Sequence, residues 1–285
     1  MESHNPPPFT TSLRGSGENA ARGNVPGVKP AALEGDLLSA LDRREIEVLF
    51  QPQFSCATGA VVGAEALARW RHPTLGEIGA RDLFAIAERA ALVAPLSRHI
   101  VARALEDAAR WPVELSLSLN ITPEELGDPR FASDFATLIG TSSLAPQRLM
   151  LEITEDLLLR NLELAKSALN ALRSLGFRTA LDDFGAGFCN FRYLRDLPLD
   201  ALKLDKVMVD DVPNDAKALA ILRAITELGR ALDLAIYAEG IESEIQRAAV
   251  TAEGCDCWQG FLRAVPMPSE SVVELAQTAR GRGHG

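Results

Sequence analysis

Hydrophobic and polar positions follow two rhythms along this chain, and each switch between them marks an element. Leu33, Leu37, Leu38 and Leu41 recur at helical spacing, which predicts an opening helix. Residues 48–52 read as a strand, Thr58-Gly59 as a hairpin turn, and residues 61–70 as the returning strand. Short apolar runs suited to buried strands follow at 114–120, 149–153, 179–183, 201–205 and 235–239. Amphipathic stretches at 82–92, 95–111, 124–139, 156–175, 215–232 and 242–253 predict helices. A last short strand is expected within 254–261. Strands alternating with helices in one long unit mean an α/β fold built on a parallel sheet, open or closed.

The polar residues favour the closed form. Nearly every strand candidate carries a group that a buried strand should not tolerate: Glu65, Asn120, Glu152, Asp182 with Asp183, Lys203, Glu239. One polar group per strand–helix unit, gathered at one rim, is the arrangement of a (β/α)8 barrel. An open doubly wound sheet would concentrate its site at one switch point, and no Gly-x-Gly-x-x-Gly follows the first strand.

Length agrees, because 285 residues with 47% hydrophobic content suit a barrel of roughly 250 residues. Residues 1–30 are rich in Pro, Gly, Ser and Asn, include Pro6-Pro7-Pro8, and are expected to form a disordered leader. The barrel is expected over 31–268, with 269–285 as a helix end and tail.

A net charge of −10 argues against a broad basic surface and so against a nucleic-acid polymer as partner. Cys56, Cys189, Cys255 and Cys257 show no zinc-site spacing beyond a single Cys-x-Cys, a usage that suits a reducing compartment. No apolar run is long enough to span a bilayer and no secretory start is evident, so a soluble cytoplasmic protein without a membrane partner is expected.

Taken singly, each strand-end acid has a plain alternative, such as capping the helix that follows. Taken together, several carboxylates and one Asn carbonyl form an oxygen-rich set of the kind hard divalent cations require. Without His or paired Cys ligands this set favours magnesium or manganese over zinc. Lys203 can balance the acids, hold or help deprotonate an attacking water, or do both. Arg69 is either a surface residue or a phosphate clamp. His72, in a His-Pro turn, is read as structural. Gln259 would reach the same rim from the last strand, and Asp256 beside it reads equally as an ordinary loop residue.

An ordered set of short motifs runs through the chain: Gln51-Pro52, Glu65-Ala66-Leu67-Ala68-Arg69-Trp70, Leu119-Asn120, Glu152-Ile153-Thr154-Glu155, Asp182-Asp183-Phe184-Gly185, Leu202-Lys203-Leu204-Asp205, Ala238-Glu239-Gly240-Ile241-Glu242 and Gln259-Gly260. In this it resembles the EAL family of cyclic di-GMP phosphodiesterases, from about Leu33 to Pro268. The resemblance implies a modified TIM barrel with one antiparallel strand near the start. It implies hydrolysis of cyclic di-GMP to linear pGpG with two Mg2+ or Mn2+ ions per site, and Ca2+ as an inhibitor. Glu65, Asn120, Glu152 and Asp182 resemble the ligands of one metal, and Asp182, Asp183 and Glu239 those of the other. Lys203 resembles the residue that contacts the nucleophilic water, and Glu239 is counted with it in the catalytic pair. Arg69, Gln51 and Gln259 match substrate-side positions, Glu155 the anchor of the loop after Asp183, and Glu242 an acid behind the ligands.

That loop departs from the family. Ala186-Gly187-Phe188-Cys189-Asn190 replaces the usual Thr-Gly-Tyr-Ser-Ser, and hydroxyls that fix the loop are lost near the family's homodimer contact. Gly79-Ala80 stands where a proline is common. Two other readings compete with the phosphodiesterase: a non-catalytic cyclic di-GMP receptor or protein-binding scaffold of the same fold, and an enolase-like barrel pairing Lys203 with metal-held carboxylates. The intact ligand set disfavours the first, and the Asn ligand with two adjacent aspartates disfavours the second.

Overall fold

The computed structural model describes residues 30–154, 162–187 and 191–281. Its centre is a closed barrel of eight strands: β1 (Ile46–Ser55), β2 (Val61–His72), β4 (Ser116–Asn120), β5 (Leu149–Thr154), β6 (Arg178–Phe184), β7 (Ala201–Leu204), β8 (Ala235–Ala238) and β9 (Cys257–Trp258), with the short β3 (Gly76–Gly79) added outside β2. The order β1-β9-β8-β7-β6-β5-β4-β2 returns to β1 through the β1–β2 pairing. All barrel pairings are parallel except those of β1, which runs against both β2 and β9. This is the modified TIM barrel expected from the sequence, with its antiparallel strand at the start.

Strand alternation explains how the barrel is filled. In β5, Leu149, Leu151 and Ile153 face outward into the main core, where helices cover them. Met150 and Glu152 face inward, and Met150 packs with Ala180, Ala201, Tyr237 and Cys257 in a small apolar plug inside the barrel. Above that plug the inward positions become polar. A second apolar cluster lies outside β2, where Leu33, Leu37 and Ala40 of the helix Pro30–Arg43 pack with Trp70, Ile78, Leu83 and Ile86. It supports the part of β1–β2–β3 that extends past the barrel rim.

Several elements differ from the sequence reading. The helix expected over 124–139 is two helices, Pro123–Gly127 and Phe131–Gly140. Pro129 disfavours the helical region for the residue before it, and Asp128 is accordingly extended at φ −86, ψ 118. β3, in the stretch between the strand expected over 61–70 and the helix expected over 82–92, pairs with β2. Of the helix expected over 156–175, Leu162–Ser174 is described and 155–161 lie outside the described residues. Of the expected leader, only Pro30 is described, and it opens the first helix. Among the described residues no helix is long and apolar enough to cross a membrane.

The sequence predicts a helix end and tail over 269–285. Ser269–Gly281 is a full helix, with Val272 and Ala276 buried in the main core. Its first residue is tied inward: buried Trp111 donates from Nε1 to Ser269 Oγ at 2.8 Å. The compact unit therefore extends past residue 268. Replacing Ser269 with Ala leaves the indole N–H buried without an acceptor, a loss of about 1–3 kcal/mol. The expected outcome for Ser269→Ala is a lower denaturation midpoint at unchanged urea slope. An unchanged midpoint would show that this contact carries no stability.

Candidate active site

Each functional side chain stands where an inward strand position meets the rim. Glu65 lies on β2 opposite Gln51 of β1, and both are buried. Asn120 and Glu152 end in register on β4 and β5. Asp182 closes the inward row of β6, and there the strand breaks register. Asp183 adopts φ +55, a left-handed conformation rare outside glycine, and its N–H donates to Asp182 Oδ1 at 3.0 Å. Adjacent residues of a regular strand point to opposite faces, so this turn is what lets two neighbouring aspartates serve one site.

Lys203 stands at the centre. Its side chain is 1% exposed, and Nζ lies 2.7 Å from Glu152, 2.8 Å from Glu239, 3.0 Å from Asp182 and 3.4 Å from Glu65. Asn120 Nδ2 donates to Glu65 Oε1 at 2.9 Å. Gln259, just after β9, donates to Glu65 Oε2 at 2.8 Å and to Glu239 Oε1 at 3.1 Å. The carboxylates fall into two overlapping triads, Glu65–Glu152–Asp182 and Asp182–Asp183–Glu239, with ligand atoms in each within 4.8 Å of one another.

The electrostatics follow from burial. Desolvation, reinforced by neighbouring carboxylates, pushes Glu152 and Glu239 well above the usual carboxylate range and raises Asp182, each against the pull of Lys203. Asp183 is pushed up to about 7 by burial and then by Asp182. Burial would raise Glu65 too, but Lys203, Gln259 and Asn120 outweigh it and hold this carboxyl below its ordinary value. Burial works against the Lys203 ammonium, yet the four surrounding acids overcome it and hold its pKa well above the usual lysine range.

Five carboxylates against one ammonium leave an excess of negative charge in a desolvated place. Glu152 Oε1 is fully buried and has no hydrogen-bond partner. A buried, unpaired carboxylate oxygen in an all-oxygen donor set fits a hard divalent cation.

The remaining sequence-predicted residues are spread further out. Arg69 shares a strand face with Glu65, four residues nearer the end of β2. Its Nη1 donates to the Ala68 carbonyl at 2.8 Å and its Nε lies 3.5 Å from Glu77. Glu242 pairs with Lys206 at 2.5 Å at the exposed edge of the mouth. Asp256 accepts from the Ile236 N–H at 2.8 Å, a loop-fastening role. His72 is structural, its Nδ1 accepting from the N–H groups of Thr74 and Leu75. Glu155 and the loop residues Phe188, Cys189 and Asn190 lie outside the described residues. Sequence reasoning missed Lys206 and Met208, whose side chains cover Gly240 and Gly185. The glycines themselves were the available signal, since each marks a place where backbone is approached closely.

The profile described as EAL domain matches residues 34–266. A relative from Sinorhizobium fredii, named uncharacterized protein y4lL, is 36% identical over 242 residues, covering 85% of this chain and 29% of its own length. The Pseudomonas aeruginosa protein named cyclic di-GMP phosphodiesterase PA2567 is 36% identical over 230 residues, covering 80% of this chain and 39% of its own length. This chain thus spans between about three tenths and two fifths of the length of those relatives. A solved structure described as the PaMucR phosphodiesterase in complex with c-di-GMP superposes with a TM-score of 0.80 at 32% identity, over 85% of this chain and 99% of that one. With the profile matching residues 34–266, across all eight barrel strands, the chain belongs to the EAL domain family.

Proposed function

We propose that this chain hydrolyses cyclic di-GMP to linear pGpG, with two magnesium or manganese ions held by its carboxylate rim. The observation that carries this reading is the pair of triads sharing Asp182, with the unpartnered Glu152 Oε1 among them. The names of the relatives support the substrate. Glu65, Asn120, Glu152 and Asp182 would hold one cation, and Asp182, Asp183 and Glu239 the other. Bound there, such cations supply Lewis acidity toward a phosphoryl oxygen and a water acidified enough to attack at neutral pH.

The chain's own residues do the rest. Lys203 lies within hydrogen-bonding reach of four acids, so in the metal-free chain it donates hydrogen bonds to them and balances their charge. It keeps the carboxylates from repelling one another apart before the substrate arrives. Gln259 fixes the orientation of Glu65 and Glu239 together, so one amide links the two triads. Arg69 on the same strand as Glu65, Gln51 on β1 opposite it and Gln259 after β9 are the substrate-side groups of this reading. A dianionic substrate is drawn by the cations and Arg69, which reconciles its recognition with a net charge of −10.

Three outcomes test these roles. Glu65→Ala removes one of several like charges from around Lys203, so the fold persists while hydrolysis falls by at least about 10²-fold, the scale of losing one preorganised electrostatic partner. Product chromatography beside a circular-dichroism melt checks both, and retained turnover would sink the ligand assignment. Lys203→Met strips the cation at the centre of the buried cluster and destabilises the metal-free protein by about 3–5 kcal/mol. Adding Mg2+ recovers part of that loss in a thermal-shift titration, whereas no recovery would deny that cations and Lys203 balance the same acids. The third outcome concerns metal size. Magnesium demands near-octahedral geometry and calcium accepts looser, longer coordination. Ca2+ should support substrate binding in calorimetry yet suppress turnover, and excess Mg2+ should restore it. Equal turnover with Ca2+ contradicts the mechanism, and tight binding without turnover under Mg2+ or Mn2+ establishes the receptor reading instead.

A further inference from the structure

Asp183 and Glu239 are the two acids found only in the second triad; one lies at the end of β6 and the other follows β8, strands that are not neighbours in the sheet. Between them stands β7, followed at once by the four-residue helix Lys206–Val209. Asp183 is held at φ +55 and Gly185 behind it at φ +97, so the loop after β6 leaves the barrel in a conformation that unsupported chain would not keep. The support comes from the short helix. The Met208 thioether and its Cγ lie directly on Gly185, where even a Cβ would collide with them. The Asp205 N–H donates to the Phe184 carbonyl at 3.2 Å, and the Asp205 side chain caps the same helix by accepting from the Val207 N–H at 2.8 Å.

The other loop is gripped from the same helix. Gly240 follows Glu239 at φ +65, and a Cβ there would meet Lys206 Cβ and Cγ at 2.6 Å and Cδ at 2.8 Å. Lys206 then reaches past Gly240 to pair with Glu242. At the far end, Gln246 Nε2 donates to Asp210 Oδ1 at 3.2 Å while its Oε1 accepts from the N–H groups of Glu242 and Ser243. One short helix thus lies against both ligand-bearing loops through glycines that admit no side chain.

We infer that Met208 and Lys206 are positioning residues for the second cation: their grip on Gly185 and Gly240 sets the spacing of Asp183 and Glu239, while Glu65, Asn120, Glu152 and Asp182 are organised without them. The first group rests on the strand register and on Lys203 and Gln259, which also reach Glu239 but leave Asp183 and the backbone of both loops to the short helix. The inference rests on the two-cation reading above and assigns each loop of the second triad a support. A thioether packed on a glycine tolerates replacement by a side chain of similar volume, but truncation leaves the loop free to relax.

The test is a titration of the metal-free full chain with Mn2+ by calorimetry, comparing wild type with Met208→Ala, Lys206→Ala and Met208→Leu. Wild type is expected to bind two ions. In Met208→Ala and Lys206→Ala the first step should be unchanged and the second weakened about 10- to 100-fold, the scale on which supporting partners act. Met208→Leu should restore the second step, and raising Mn2+ should restore hydrolysis in the truncated variants. Unchanged second steps, equal weakening of both steps, or failure of Met208→Leu to rescue would each overturn the inference. A wild type that binds fewer than two ions would overturn the two-cation reading itself, so the two failures are told apart.

Discussion

The architecture of the site turns on Lys203, an ammonium buried among four carboxylates. Removing any of these charges from water is costly, and close pairing with hydrogen bonds on the remaining lone pairs is what makes it tolerable. Here the pairing is incomplete by design of charge: one cation cannot balance five acids, and part of the acid set is pushed toward its protonated form. The barrel therefore carries a charge deficit that hard divalent cations are suited to fill. The same ammonium holds acids carried on or just after four different strands within reach of one another.

The rest of the fold can be read as support for that cluster. The apolar plug of Met150, Ala180, Ala201, Tyr237 and Cys257 closes the barrel below it and keeps water away from one side. The antiparallel β1 sets Gln51 against Glu65 and lets the β1–β2–β3 extension carry Arg69 beyond the rim. Around the opposite side, the four-residue helix after β7 fastens the loops of β6 and β8. The two triads are thus built by different means, one by strand register within the sheet and one by loop packing at its rim.

This difference bears on the altered segment after Asp183. Ala186 replaces a hydroxyl residue usual in the family, yet its N–H donates to the Asp183 carbonyl at 3.1 Å, a backbone contact that needs no hydroxyl. The Met208 contact on Gly185 is likewise independent of the lost hydroxyls. In this chain the loop's first turn is held from beneath by an apolar contact and by backbone hydrogen bonds.

Much of this protein could be read from residue order. Helix and strand rhythm placed the barrel strands, and Glu65, Asn120, Glu152, Asp182, Asp183, Lys203 and Glu239 stood out along them, because a polar group within or just after an apolar run has few reasons to be there. The closed barrel followed from one polar group per unit, and its reversed strand from the resemblance. What local pattern could not reach were contacts between distant segments. The break at Asp128-Pro129 was a local signal that the apolar rhythm obscured, whereas the docking of Ser269–Gly281 through Trp111 joins residues 158 positions apart. Met208 and Lys206 resemble any other helix residues until the fold lays them on Gly185 and Gly240. Periodicity reports which face of an element is buried, but not which partner covers it. Only tertiary structure decided that one turn of helix after β7 would hold two acids from β6 and β8 in place.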